Sequence, residues 1–260
     1  MHSDLTAVAA QAKTETSSAS YETFPPRPFG RWLTVVVFAL AMAWVESAVV
    51  FYLRTMLDRI EPYRPEPLPQ FSGFALAELV REVATLVMLL TVGMLSGKTW
   101  PARLAYSSIA FGVWDIFYYA WLRVLCGWPH SLLDWDILFL IPVPWWGPVL
   151  APMLIALLMI IWGSLVVFRP NQTGFPASWR PWLLNAMGMA LALYVFMVDA
   201  WRAATHGPTA MRHMLPERFQ WPLFVVALLL MAAPILNRWF PRRPGTSKAL
   251  DLGGGTLSSV

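Results

Sequence analysis

The stretch Phe74–Leu95, FALAELVREVATLVMLLTVGML, holds Glu78, Arg81 and Glu82 inside a run that is otherwise almost wholly apolar. As a helix at 1.5 Å per residue it reaches about 33 Å, enough to cross a hydrocarbon core about 30 Å thick. Ionisable side chains in such a run are expensive in lipid, and each needs a partner or a water-filled cavity. Helical spacing puts Glu78 and Glu82 four residues apart, with Arg81 next to both, so the three heads crowd one side. The stretch reads as a transmembrane helix with a polar site on one face.

The rest of the 260 residues agrees with a membrane protein. The chain is 57% hydrophobic and only 13% charged, with mean hydropathy +0.53, whereas charged residues make up about a quarter of a soluble domain. Apolar runs predict six spans, Trp32–Leu53, Phe74–Leu95, Leu104–Leu125, Gly147–Phe168, Trp182–Trp201 and Trp221–Phe240. The expected fold class is therefore all-α, a polytopic transmembrane helix bundle over residues 31–240. The apolar stretch from Ile137 to Phe168 is too long for one untilted crossing, and Pro142, Pro144, Pro148 and Pro152 interrupt its first half. Ile137–Trp146 is read as a broken interfacial or re-entrant segment before the fourth span, with a seventh span as the alternative. Residues 1–30 and 241–260 are read as disordered tails, since neither has enough apolar surface to order itself. Leu5–Ala10 is too short for the core of a cleavable signal.

Six spans put both ends on one side of the bilayer. That side carries eleven Lys and Arg residues, all three lysines among them, and the other carries seven. The positive-inside rule then places both termini in the cytoplasm of a cell membrane of bacterial inner-membrane type. The net charge of +4 is explained by this orientation, and no nucleic-acid partner is expected. Cys126 is the single cysteine, which excludes an internal disulfide framework and a Cys-based zinc or iron–sulfur site within one chain. No histidine falls within a span, so a buried haem or a Glu-x-x-His di-iron site is disfavoured. The nucleophile elbow, zincin, P-loop and dinucleotide motifs are absent.

Glu46 in the first span and Asp115 in the third join the charged group of the second. On the proposed orientation Glu46 lies about 10 Å below the outer end of its helix, Glu82 about 12 Å and Glu78 about 6 Å, with Asp115 near mid-depth. Tyr118 and Tyr119 stand three and four residues from Asp115, within reach of its carboxylate, and Arg123 lies two turns above it. These eight residues, Glu46, Glu78, Arg81, Glu82, Asp115, Tyr118, Tyr119 and Arg123, form the expected proton, cation or ligand site in an outward-facing cavity. Four carboxylates against Arg81 and Arg123 leave a negative surplus, which requires a protonated carboxyl, a bound cation or free access of water.

His130, His206 and His213 in outer loops are weak candidates for a metal, and Ser131 with Asp134 reads as a capping box opening a short helix. Asp136 has a smaller claim to face the site. The fifteen tryptophans read mainly as interfacial belt residues, some as walls of a lipid pocket. Three function classes follow from the sequence. They are proton- or cation-linked binding or transport of a small molecule, a non-catalytic membrane subunit or assembly factor, and a membrane enzyme acting on a lipid-soluble substrate. The expected partners are membrane lipid, a small-molecule, proton or cation ligand, and another membrane protein.

Overall fold

The computed structural model describes residues 28–65, 72–139, 143–169, 179–207, 210 and 213–239. Five helices in it are long and apolar enough to cross a membrane. They are α1 (Pro28–Met56), α2 (Ser72–Ser96), α3 (Trp100–Cys126), α4 (Leu150–Phe168) and α5 (Arg180–Ala204). The outer faces of these helices remain apolar, with Val45, Leu76, Leu90 and Met187 all exposed. A bundle that buries its polar groups and turns aliphatic side chains outward is built for lipid as its solvent. The expected tails lie outside the described residues, except that Pro28 to Gly30 already belong to the first turns of α1.

The sixth expected span is shorter and broken. Two helices replace it, α6 (Trp221–Met231) and α7 (Ala233–Trp239), and the apolar part runs Trp221–Asn237. Pro234 has no N–H to donate, and Ile235 N donates to Ala232 O at 3.0 Å instead of reaching back one residue further. The carbonyl of Met231, left without its helical donor, accepts from Asn185 Nδ2 of α5 at 2.9 Å. Irregular backbone is thus tolerated where a neighbouring helix satisfies it.

Among the described residues of Ile137–Trp146 there is neither a helix nor a seventh span. The segment supplies most of a short antiparallel hairpin, β1 (Trp135–Phe139) with β2 (Trp145–Pro148), in which Asp136 stands opposite Gly147 and Ile137 opposite Trp146. Proline exclusion from helices and the β preference of Trp, Ile and Phe account for the change. The capping-box reading before it is corrected too. Asp134 Oδ2 accepts from His130 N at 2.7 Å and Ser131 N at 3.2 Å, but this closes a turn that leads into β1 rather than into a helix.

Helix α3 is the central rod. Thr99 caps its start, accepting from Ala102 N at 3.4 Å, and Gly127 at φ 76° closes its end in the left-handed region that glycine enters without strain. Against α4 the approach is close enough that only glycine fits. A Cβ on Gly163 would stand 2.5 Å from Ala105 O, and one on Gly112 would stand 2.5 Å from Ala156 O. Small residues at such seams let backbones meet where lipid gives no hydrophobic push. Helix α1 is tied to α3 by Trp121 Nε1 donating to Leu40 O at 3.2 Å. The Ser47 hydroxyl, 2.7 Å from Ala43 O and 2.9 Å from Tyr118 O, makes a second tie. Helix α2 packs on α3 and lightly on α1, while α5 packs on α6 and the hairpin. Two groups of helices therefore meet along the α3–α4 seam, and a cavity opens between them.

Candidate functional site

The cavity holds about 480 Å³, inside the ~300–1,000 Å³ range of small-molecule sites. One wall comes from α1, α2, α3 and β1 and presents Glu46, Arg81, Glu82, Asp115 and Asp136. The facing wall comes from β2 and α4 to α7 and contributes no ionisable side chain among the described residues, only apolar and aromatic groups with Asn185. The charge split follows from the sequence, because α4 and α6 carry no charged residue at all.

On the polar wall Arg81 is the hub. Its guanidinium pairs with Glu46 across the α1–α2 contact, and with Glu78 on its own helix through Nη2 at 2.7 Å and Nε at 3.1 Å. Thr85 donates to the second oxygen of Glu46 at 3.1 Å. A planar guanidinium that makes a two-pronged contact with one carboxylate while donating to a second is an arrangement the compact ammonium of Lys does not reproduce. Glu78 takes part in this group but does not line the cavity, whereas Glu82 does.

Asp115 is 8% exposed and lines the cavity, and its Oδ2 has no hydrogen-bond partner. Trp114 Nε1 and Trp145 Nε1, two further cavity-lining groups, are also buried without an acceptor. Neither Tyr118 nor Tyr119 makes the expected hydrogen bond to Asp115 Oδ2. Tyr118 stacks on Trp114 with ring centroids 6.1 Å apart, and the Tyr119 ring packs against Tyr118 and Trp128. Both tyrosines line the cavity.

Arg123 lies apart from the other expected site residues. Its Nη1 donates to Gly127 O and to Pro129 O at 3.0 Å, so it clamps the loop after α3 and is not among the residues lining the cavity. A second guanidinium, Arg54 at the end of α1, reaches the lining residue Asp136 without itself lining the cavity. Its Nη2 meets Asp136 Oδ1 at 2.9 Å, with Asp136 buried and Arg54 12% exposed, and its guanidinium lies 4.3 Å from the Trp128 ring centroid, a cation–π contact. Burial pushes the Asp136 carboxyl upward from its ordinary range, against the opposing pull of Arg54, the Ile137 N–H and the Tyr119 hydroxyl. Sequence reasoning passed over Arg54 because it falls at a helix end, where basic residues are ordinarily interfacial. Asp136 left a clearer trace as the one charge in the apolar run Trp135–Trp146.

The histidines are not brought together into a ligand set. His130 lies 3.6 Å from Asp134 and is exposed, and His206 and His213 are exposed as well. Among the described residues no group of three or more His, Cys, Asp or Glu side chains is placed to hold a metal ion. Four carboxylates, Glu46, Glu82, Asp115 and Asp136, therefore line the cavity against one guanidinium, Arg81, while Arg54 and Glu78 pair with Asp136 and Arg81 from outside the lining. Exchange of Arg123 for the Arg54–Asp136 pair leaves the negative surplus in place. The chain matches no family model, no curated protein and no solved structure.

Proposed function

We propose that this multi-pass protein binds or transports a small molecule through proton- or cation-linked exchange at the carboxylates of its internal cavity. In this reading Trp221–Asn237 is the sixth crossing, both termini are cytoplasmic, and the hairpin marks the outer end. One observation carries the proposal, the buried and unpartnered Oδ2 of Asp115 facing a cavity with a negative surplus. An acceptor in that position costs about 1–3 kcal/mol when left without a donor. A proton, an ammonium group or a metal cation removes the cost, so occupancy and folding stability are linked.

The test is the melting temperature of the protein in lipid nanodiscs as a function of pH and of added tetramethylammonium and sodium. The wild type is expected to shift with pH or with a cation, and Asp115→Asn, a near-isosteric change, is expected to fold in normal yield and lose that response. A second reading, a non-catalytic membrane subunit or assembly factor, is favoured by the Arg81 clasp, which joins α1 to α2 regardless of any ligand. It predicts wild type and Asp115→Asn curves that are equally flat in pH and cation, with the amide lowering only the yield.

A further inference from the structure

We infer that the ligand of this cavity is an amphiphilic amine, its ammonium held at Asp115 and its apolar body lying against α4 to α7. The inference rests on the binding reading above and adds the ligand's chemical class. All the ionisable lining residues stand on α1, α2, α3 and β1, and the opposite wall presents Ile155, Met159, Trp162, Phe196 and Met231. A simple inorganic cation would fill the acidic end and leave that wall facing an empty or hydrated space. A purely apolar lipid would leave Asp115 Oδ2 unmatched. A molecule with a cationic head and an apolar body satisfies both walls and also offsets the negative surplus, which a neutral hydroxyl head would leave in place.

The two walls also differ in depth. Asp136 and Tyr119 lie at the hairpin end of the bundle, while Trp162 and Trp182 lie toward the other ends of α4 and α5. Gly112, one turn before Asp115, meets Ala156 near the start of α4, so an amine at Asp115 is held nearer the hairpin, with its body pointing down the bundle axis. The free indole N–H groups of Trp114 and Trp145 further favour a body that carries an acceptor oxygen over a plain hydrocarbon.

Thermal shift in nanodiscs with methylamine, hexylamine, hexanol and hexanoate, each at matched free aqueous concentration, tests the inference. Hexylamine is expected to stabilise and methylamine to need a much higher concentration, because each added methylene improves affinity about fourfold until the apolar end is filled. Hexanol and hexanoate are expected to be at least tenfold weaker than hexylamine. Asp115→Asn should abolish the hexylamine shift. Met159→Ser should weaken hexylamine while leaving methylamine unchanged. Equal potency of methylamine and hexylamine overturns the amphiphile and leaves cation exchange standing. So does a chain that responds to pH through Asp115 but to no amine. Equal potency of hexanoate or hexanol overturns the cationic head. The wild-type series decides the matter even if a variant folds poorly.

Discussion

Replacing Arg81 with Met is expected to cost on the order of 3 kcal/mol of stability, the usual penalty for stripping the partner from a buried charge. Arg81 joins two carboxylates, Glu46 on α1 and Glu78 on α2. Without it Glu46, 6% exposed, keeps a single hydrogen bond, from Thr85. Neutralising the stranded acid should undo much of the damage, so Arg81→Met with Glu46→Gln is expected to be more stable than Arg81→Met alone. The cycle with Glu46→Gln by itself isolates the coupling. Lysine at 81 should recover less than half of the loss, since an ammonium cannot make the two-pronged contact with Glu78 while reaching Glu46. The readout is the denaturation midpoint in matched detergent. Additive effects of the two single changes would mean that Arg81 and Glu46 are not energetically paired.

Arg54→Met is the second large effect, and its size should depend on pH. Asp136 would lose its salt bridge while keeping its donor Ile137 N–H, and its carboxyl would then be held still further above its unfolded value. A group whose folded pKa is raised loses stability as pH climbs from the unfolded pKa through the folded one. The deficit of Arg54→Met relative to wild type is therefore expected to be about 3 kcal/mol near neutral pH and to shrink on acidification as Asp136 takes up a proton. Arg54→Met with Asp136→Asn should show a smaller deficit with little pH dependence. Midpoints measured from pH 5 to pH 8 for the three proteins decide this, and a deficit that grows toward acid would contradict it.

The helices were legible because hydrophobic runs of membrane length have few alternative structures. The placement of Glu46, Arg81, Glu82 and Asp115 around one space was legible for a related reason, since a charge within such a run has to turn inward. What the sequence did not disclose depended on contacts between distant segments. The hairpin of β1 and β2 looks like apolar, proline-broken chain until the pairing of Trp135 with Pro148 is seen. Arg123 and Arg54 sit at corresponding helix ends, and nothing in their neighbours along the chain tells that the first caps its own loop while the second reaches Asp136. The break at Ala232 was signalled by Pro234, but its repair by Asn185 lies on another helix. The apolar wall was hidden for the same reason. The sequence divides the fifteen tryptophans between belt and pocket wall without saying which are which, and Trp162 and Trp182 line the cavity once α4 and α5 are packed.

The central claim is that acids on several helices surround one water-accessible space whose potential is negative. Ser108 lines that space, and Ser108→Cys in a Cys126→Ser background leaves every acid in place. The decisive measurement is the rate at which this thiol reacts with a cationic thiosulfonate added from outside the cell, compared with an anionic one of similar size. The account predicts modification from outside, with the cationic reagent faster by tenfold or more at low salt and the preference falling as salt is raised. A thiol that stays inert to both reagents, or one that the anion modifies as fast as the cation, would contradict it.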